Sequence, residues 1–178
     1  MARVIIGLGN YGPGFGETRH NVGFKVLDRL LQATQSPPLA RASSLHDASV
    51  TSSGTLVVRP RLFMNETGRV LGALGAAVGG PLCVVHDELE VALGQARVKR
   101  NGSAKGHNGV KSLAQCRGGS LDFARVQVGI GRPASRDAAA VASYVLGKFT
   151  PAERELLEQG LDAAVDLLVK EFIASRAA

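Results

Sequence analysis

The chain has 178 residues, 45% of them hydrophobic and 20% charged, which is enough apolar material for one core and too little length for two full domains. No apolar run approaches the roughly 18–20 residues that a membrane span needs, and two cysteines, Cys83 and Cys116, are too few for a secreted disulfide framework. Twenty-one Lys and Arg against fifteen Asp and Glu leave a net charge of +6, focused in an acid-free stretch between Glu90 and Asp122 that holds Arg97, Lys99, Arg100, Lys105, Lys111 and Arg117. From Pro151 onward acids outnumber bases, so one end of the molecule should attract polyanions and the other repel them. Both thiols are expected reduced in apolar surroundings, in a cytosolic compartment with no export or transit signal, although a eukaryotic host could place the chain in an organelle.

Strand and helix signals alternate along the chain, which predicts an α/β fold, a single domain over 1–178 with helices on the faces of one sheet. Residues 3–8 read as a buried first strand. A Gly-rich loop follows, and Thr18 is expected to open a helix on which His20, Phe24, Leu27 and Leu31 share a face until Ser36-Pro37-Pro38 stops it. Residues 47–53 and 55–60 predict two strands around Gly54, and 65–77 predict a helix weakened by glycines. Residues 82–85 form a short β-rich run ending at His86-Asp87, where the carboxyl edge of a sheet commonly carries chemistry. A strand at 95–99, a helix near 107–115 and a strand at 123–130 come next. Thr150-Pro151-Ala152-Glu153 is a capping-box sequence opening a helix whose apolar face is Leu157, Leu161, Ala164, Leu168 and Phe172.

Gly7-Leu8-Gly9-Asn10-Tyr11-Gly12 satisfies a dinucleotide fingerprint, but the loop continues through Gly16 rather than entering a helix, and Asp28 lies within a helix. No P-loop is present. His20, two residues after its expected cap, should remain neutral beside a helix N-terminus and able to accept a proton. A core histidine packed above Phe24 is the plainer alternative. Asn10, Asn65 and Asn108 stand at element boundaries, where amides can orient water or donate to an oxyanion, and where any one of them could also serve as a helix cap. Asp87 could orient an imidazole, with Glu88 and Glu90 as alternatives. Ligand-like residues His86, Asp87, Glu88 and His107 lack tight metal spacing, so no metal or other cofactor is expected. No Gly-x-Ser-x-Gly elbow supplies a serine nucleophile, which leaves water activated by His20.

Six blocks taken together resemble bacterial-type peptidyl-tRNA hydrolases. They are Gly7-Leu8-Gly9-Asn10, Thr18-Arg19-His20-Asn21-Val22-Gly23-Phe24, Met64-Asn65-Glu66-Thr67-Gly68, His86-Asp87-Glu88-Leu89, Gly106-His107-Asn108-Gly109 and Val128-Gly129-Ile130-Gly131-Arg132-Pro133. The resemblance implies a twisted mixed sheet surrounded by helices and an enzyme that cleaves the ester between a peptide and the terminal ribose of tRNA. It implies His20 as general base, Asp87 as the carboxylate that orients it, and Asn10 and Asn65 as amides that position ester and water. Asn108 would contact the acceptor end or the peptide, and Phe63 and Met64 would wall a peptide groove. Phe15 stands where the family usually has Tyr, Tyr11 where it usually has Pro, and Arg59 where Lys is common.

Lys99 matches a family lysine that clamps the tRNA 5′-phosphate, while its partner arginine is replaced by Gln127. Arg125, two residues back on the same face of the strand, is expected to supply the missing charge. Lys99, Arg100, Lys105 and Arg125 would thus hold phosphates without reading sequence. The resemblance also implies peptidyl-tRNA as the substrate. A monomer is the default expectation because no long apolar face appears beyond those the core needs, and the short apolar runs predict no membrane partner. The rivals are a non-catalytic RNA-binding relative and a metal-dependent hydrolase of another acyl substrate.

Overall fold

The computed structural model describes residues 1–174. Seven strands form one mixed sheet: β1 (Val4–Gly7), β2 (Ala40–Arg41), β3 (His46–Val50), β4 (Leu56–Pro60), β5 (Leu82–Glu88), β6 (Ala96–Lys99) and β7 (Ala124–Gly129). Their order is β2-β3-β4-β1-β5-β7-β6. The centre is parallel, β4-β1-β5-β7, and both edges are antiparallel. Five α-helices cover it: α1 (Val22–Ala33), α2 (Arg69–Leu74), α3 (Asn108–Cys116), α4 (Ala138–Val145) and α5 (Arg154–Leu167). Among the described residues no helix is long and apolar enough to cross a membrane.

Alternation along the strands divides the apolar residues between two layers. Ile5, Val57, Cys83, Val85, Val126 and Val128 pack beneath α1 and α5, against Leu27, Leu30, Leu161 and Leu168. Val4, Ile6, Val58 and Val84 pack beneath α2 and α3, against Val70, Val110 and Leu113. Each such fully buried Leu or Val contributes about 1.5–3 kcal/mol of transfer free energy. The face expected for the last helix is all buried, Leu157, Leu161, Ala164, Leu168 and Phe172. The helix begins with a 3₁₀ turn at Pro151–Glu153 and ends with a π-helical turn at Leu168–Ile173.

Several expectations need correction. The helix expected over 65–77 is broken into α2 and two 3₁₀ turns, Met64–Glu66 and Gly75–Gly79, because Gly75 leaves the helical region at φ 53°. Thr18 does not cap α1. Its hydroxyl donates to the Phe15 carbonyl at 2.7 Å, and a 3₁₀ turn, Arg19–Asn21, precedes the helix. The strand β5 continues through His86, Asp87 and Glu88, and neither β2 nor α4 was legible in the pattern. Cys83 is buried, where desolvation pushes its thiol up to about 12, but Cys116 is exposed at the end of α3 rather than in the core.

Candidate active site

The carboxyl ends of β1, β4 and β5 meet at one edge of the sheet, where the chain crosses from one side of the centre to the other. Gly23 makes this convergence possible. A Cβ there would lie 2.6 Å from the carbonyl oxygens of both Leu8 and Val85, so only glycine lets the start of α1 sit on β1 and β5. The turn before it is fixed by a reciprocal pair: the Asn10 amide donates to Asn21 Oδ1 at 2.8 Å, and Asn21 Nδ2 donates to the Asn10 carbonyl at 2.9 Å. Asn10 Oδ1 in turn accepts from the Met64 amide at 2.7 Å and anchors the turn that carries Asn65.

His20 Nδ1 lies 2.8 Å from Asp87 Oδ2, and His107 Nε2 lies 2.7 Å from Asp87 Oδ1. Burial alone would raise the Asp87 carboxyl, but the two imidazoles outweigh it and hold the group well below the usual carboxylate range. An ionised carboxylate only accepts, so both facing ring nitrogens carry hydrogens. That assigns the Nδ1–H tautomer to His20 and leaves its Nε2 lone pair available. His107 Nδ1 accepts from the Val110 amide at 3.3 Å, so this ring also caps α3. Below it His86 is buried, its ring centroid 4.7 Å from that of His107, and its Nδ1–H donates to the Asp87 carbonyl at 2.8 Å. Desolvation, reinforced by His107, lowers the His86 imidazole to about 3.

His20 and Asp87 open on a cleft of about 600 Å³ that Met64, Asn65, Lys105, His107 and Asn108 also line. Asn65 and Asn108 are exposed to it from the turn after β4 and from the first residue of α3. Its far side is apolar and comes from α4. Asn10 does not line this cleft. It lines a shallower groove with Tyr11, Asn21, Phe24 and Arg59, and reaches the site through Met64.

Phe15 and Phe63 form a T-shaped pair with centroids 6.1 Å apart, outside the residues that line the cleft. Lys99 is partly exposed on β6 and Arg100 is exposed just beyond it. Arg125 is only 1% exposed: Nη1 donates to Ser103 O at 3.0 Å and Nη2 to Asn101 O at 2.6 Å. Correcting the expectation for it, the guanidinium is a strut beneath the 101–103 loop and not a surface cation. The exposed charge beside Gln127 belongs to Arg97, its register partner on β6. Arg97 Nε donates to Gln127 Oε1 at 2.7 Å, while Gln127 Nε2 donates to Glu88 Oε1 at 2.8 Å.

The sequence pattern offered His107 only as a metal-ligand candidate and assigned it no part in orienting Asp87, although it stands in one of the quoted blocks. Nor did it single out Arg132 and Arg136, which line the cleft with Lys105 and add positive charge. Among the described residues, His20, Asp87 and His107 also form the one cluster with metal-ligand chemistry. In that cluster both carboxylate oxygens already accept from ring nitrogens, an arrangement satisfied by hydrogen bonds alone.

The family model for peptidyl-tRNA hydrolase matches residues 4–177. A peptidyl-tRNA hydrolase of Mycobacterium sp. (strain KMS) is 40% identical, covering 94% of this chain and 91% of that protein. One from Citrifermentans bemidjiense is 41% identical, covering 94% and 89%. The crystal structure of peptidyl-tRNA hydrolase from Acinetobacter baumannii superposes with a TM-score of 0.82 at 29% identity, covering 95% of this chain and 89% of that one. On sequence and fold alike, the chain belongs to the peptidyl-tRNA hydrolase family.

Proposed function

We propose that this protein hydrolyses the ester between a peptide, or an N-blocked amino acid, and the terminal ribose of tRNA, by water attack with His20 as general base. The observation that carries the reading is the Asp87 carboxylate, which fixes the His20 tautomer and leaves Nε2 as the proton acceptor at an open cleft. Water gives its proton to His20 Nε2 as its oxygen bonds to the ester carbon. The tetrahedral intermediate then expels the ribose oxygen, which takes that proton back. Products are a carboxylic acid and tRNA with a free terminal hydroxyl.

The developing oxyanion calls for donors, and the Asn65 and Asn108 amides at the cleft are suited to that role or to holding the water. Asn10 acts through the Met64 amide, and Met64 itself forms part of the cleft wall. Phe63, about half exposed, and Phe15 are assigned to an aromatic rim. Lys105 at the cleft, with Lys99 and Arg100 beyond it, would hold acceptor-arm phosphates. Arg97 joins them in the place proposed for Arg125, which supports the loop between Arg100 and Lys105.

The test is release of N-acetylated amino acid from tRNA with a chelator present. Cleavage that survives the chelator is the expected result. Cleavage abolished by chelator and restored by a divalent ion would favour a metal hydrolase, and tight tRNA binding with no cleavage would favour a non-catalytic RNA-binding protein.

A further inference from the structure

The helix α4 and its C-cap Leu146 carry an apolar stripe of which only Val145 also reaches the core. Ala138, Val141, Ala142, Val145 and Leu146 recur at i, i+3, i+4, i+7 and i+8, the spacing of a buried helix face, yet they line the cleft. None of the eight residues of α4 is buried, and only Tyr144 and Val145 reach the core. The helix hangs from its C-terminal end, and most of the attachments there lead to Arg19.

Arg19 is buried between Thr18 and His20. Its guanidinium carbon stands 4.3 Å from the centroid of the Tyr144 ring and 5.5 Å from that of Phe149. Nη2 donates to Glu153 Oε1 at 2.8 Å and Nη1 to the Tyr144 carbonyl at 3.4 Å, while the Arg19 amide donates to Gly147 O at 3.0 Å. A Cβ at Gly147 would lie 3.0 Å from Arg19 Nη1, so the chain passes close under the guanidinium. Two further ties join the same region: Thr18 bridges to Lys148, and the Tyr144 hydroxyl donates to the Ile130 carbonyl. One side chain therefore links the residue before the base to both ends of the 144–153 segment.

We propose that Arg19 is a positioning residue that sets selectivity for the acyl side chain, by fixing the apolar wall of α4 at a set distance from His20. The proposal rests on the hydrolase reading, because an acyl group whose ester carbon meets water at His20 must project its side chain into the same cleft. An apolar side chain would gain from the Val141, Val145 and Leu146 surface, and glycine would not. Lysine at 19 would keep the charge for Glu153 but lose the planar fork and the ring stacking.

The experiment compares wild type with Arg19→Met and Arg19→Lys by amide hydrogen exchange, and by hydrolysis of N-acetylphenylalanyl-tRNA and N-acetylglycyl-tRNA. In Arg19→Met, exchange over 138–146 should quicken about tenfold or more while α1 is unchanged. KM for the phenylalanyl ester should rise about tenfold with KM for the glycyl ester within about twofold, and kcat for both should be largely kept. Arg19→Lys should fold and show the same pattern at smaller amplitude, and it decides the matter if Arg19→Met does not fold. Unchanged exchange in α4, or an equal rise in KM for both esters, would overturn the proposal. If wild type cleaves neither ester, the hydrolase reading fails and the selectivity claim with it, whereas exchange in α4 still reports whether Arg19 holds the wall.

Discussion

His107 Nε2 lies 2.7 Å from Asp87 Oδ1, on the carboxylate oxygen opposite the one that holds His20. Replacing His107 with Phe would leave a buried carboxylate oxygen without a donor, a loss of about 1–3 kcal/mol, and would free Asp87 to swing. The expected result is a fall in kcat of about tenfold to a hundredfold with little change in KM. His107→Asn, which can still donate, should lie between Phe and wild type. Steady-state kinetics with full activity in His107→Phe would show that His20 is oriented without it.

The His86 imidazole, lowered to about 3 by burial and by His107, favours the neutral form in the folded protein. Between that value and the ordinary value near 6.5, the unfolded chain binds a proton that the native state refuses, so stability rises with pH across this window. The contribution is fully present above about pH 6.5 and is lost as pH falls through the window, by up to about 1.4 kcal/mol per pH unit. His46, also lowered chiefly by desolvation, acts in the same direction. In His86→Phe, thermal unfolding followed from pH 7 to pH 4 should decline less steeply than in wild type. Parallel curves would contradict this assignment.

Arg97 and Arg125 should separate by salt dependence. Removing one phosphate contact lowers the slope of log K against log salt by about 0.7–0.9. Arg97→Gln is expected to do so with kcat and thermal stability retained. Arg125→Gln leaves the carbonyls of Asn101 and Ser103 without their donor, so it should cost about 1–3 kcal/mol of stability. A lowered slope with undiminished stability in Arg125→Gln would restore that residue as a phosphate ligand.

The two cysteines differ in access. A thiol reagent at neutral pH should modify Cys116 in the native protein and Cys83 only after unfolding, since Cys83 is buried and its thiol is pushed up to about 12. Two thiols modified at equal rates in the native state would contradict the buried placement.

The elements readable in the sequence are those whose pattern meets the core. Residues 3–8 and the Leu157 to Phe172 face were legible because every apolar position is buried. The helix α4 was not, because its stripe faces a cleft and its run of alanines carries no polar contrast. His20 and Asp87 could be singled out by position at element ends, but the bond from His107 to Asp87 joins residues 20 apart and no local spacing announces it. Arg125 was misread for a related reason. Alternation correctly gives the face of a strand residue and says nothing of whether a loop, here 101–103, covers that face.

The most direct measurement is the rate of N-acetylaminoacyl-tRNA hydrolysis, chelator present, by wild type and by His20→Ala, alongside the tRNA affinity of each. With His20 as the general base, kcat should fall by more than about a hundredfold while affinity stays within about threefold, since phosphate contacts elsewhere carry the binding. A variant that cleaves at near wild-type rate would contradict the assignment of His20, and with it the role given to the Asp87 carboxylate.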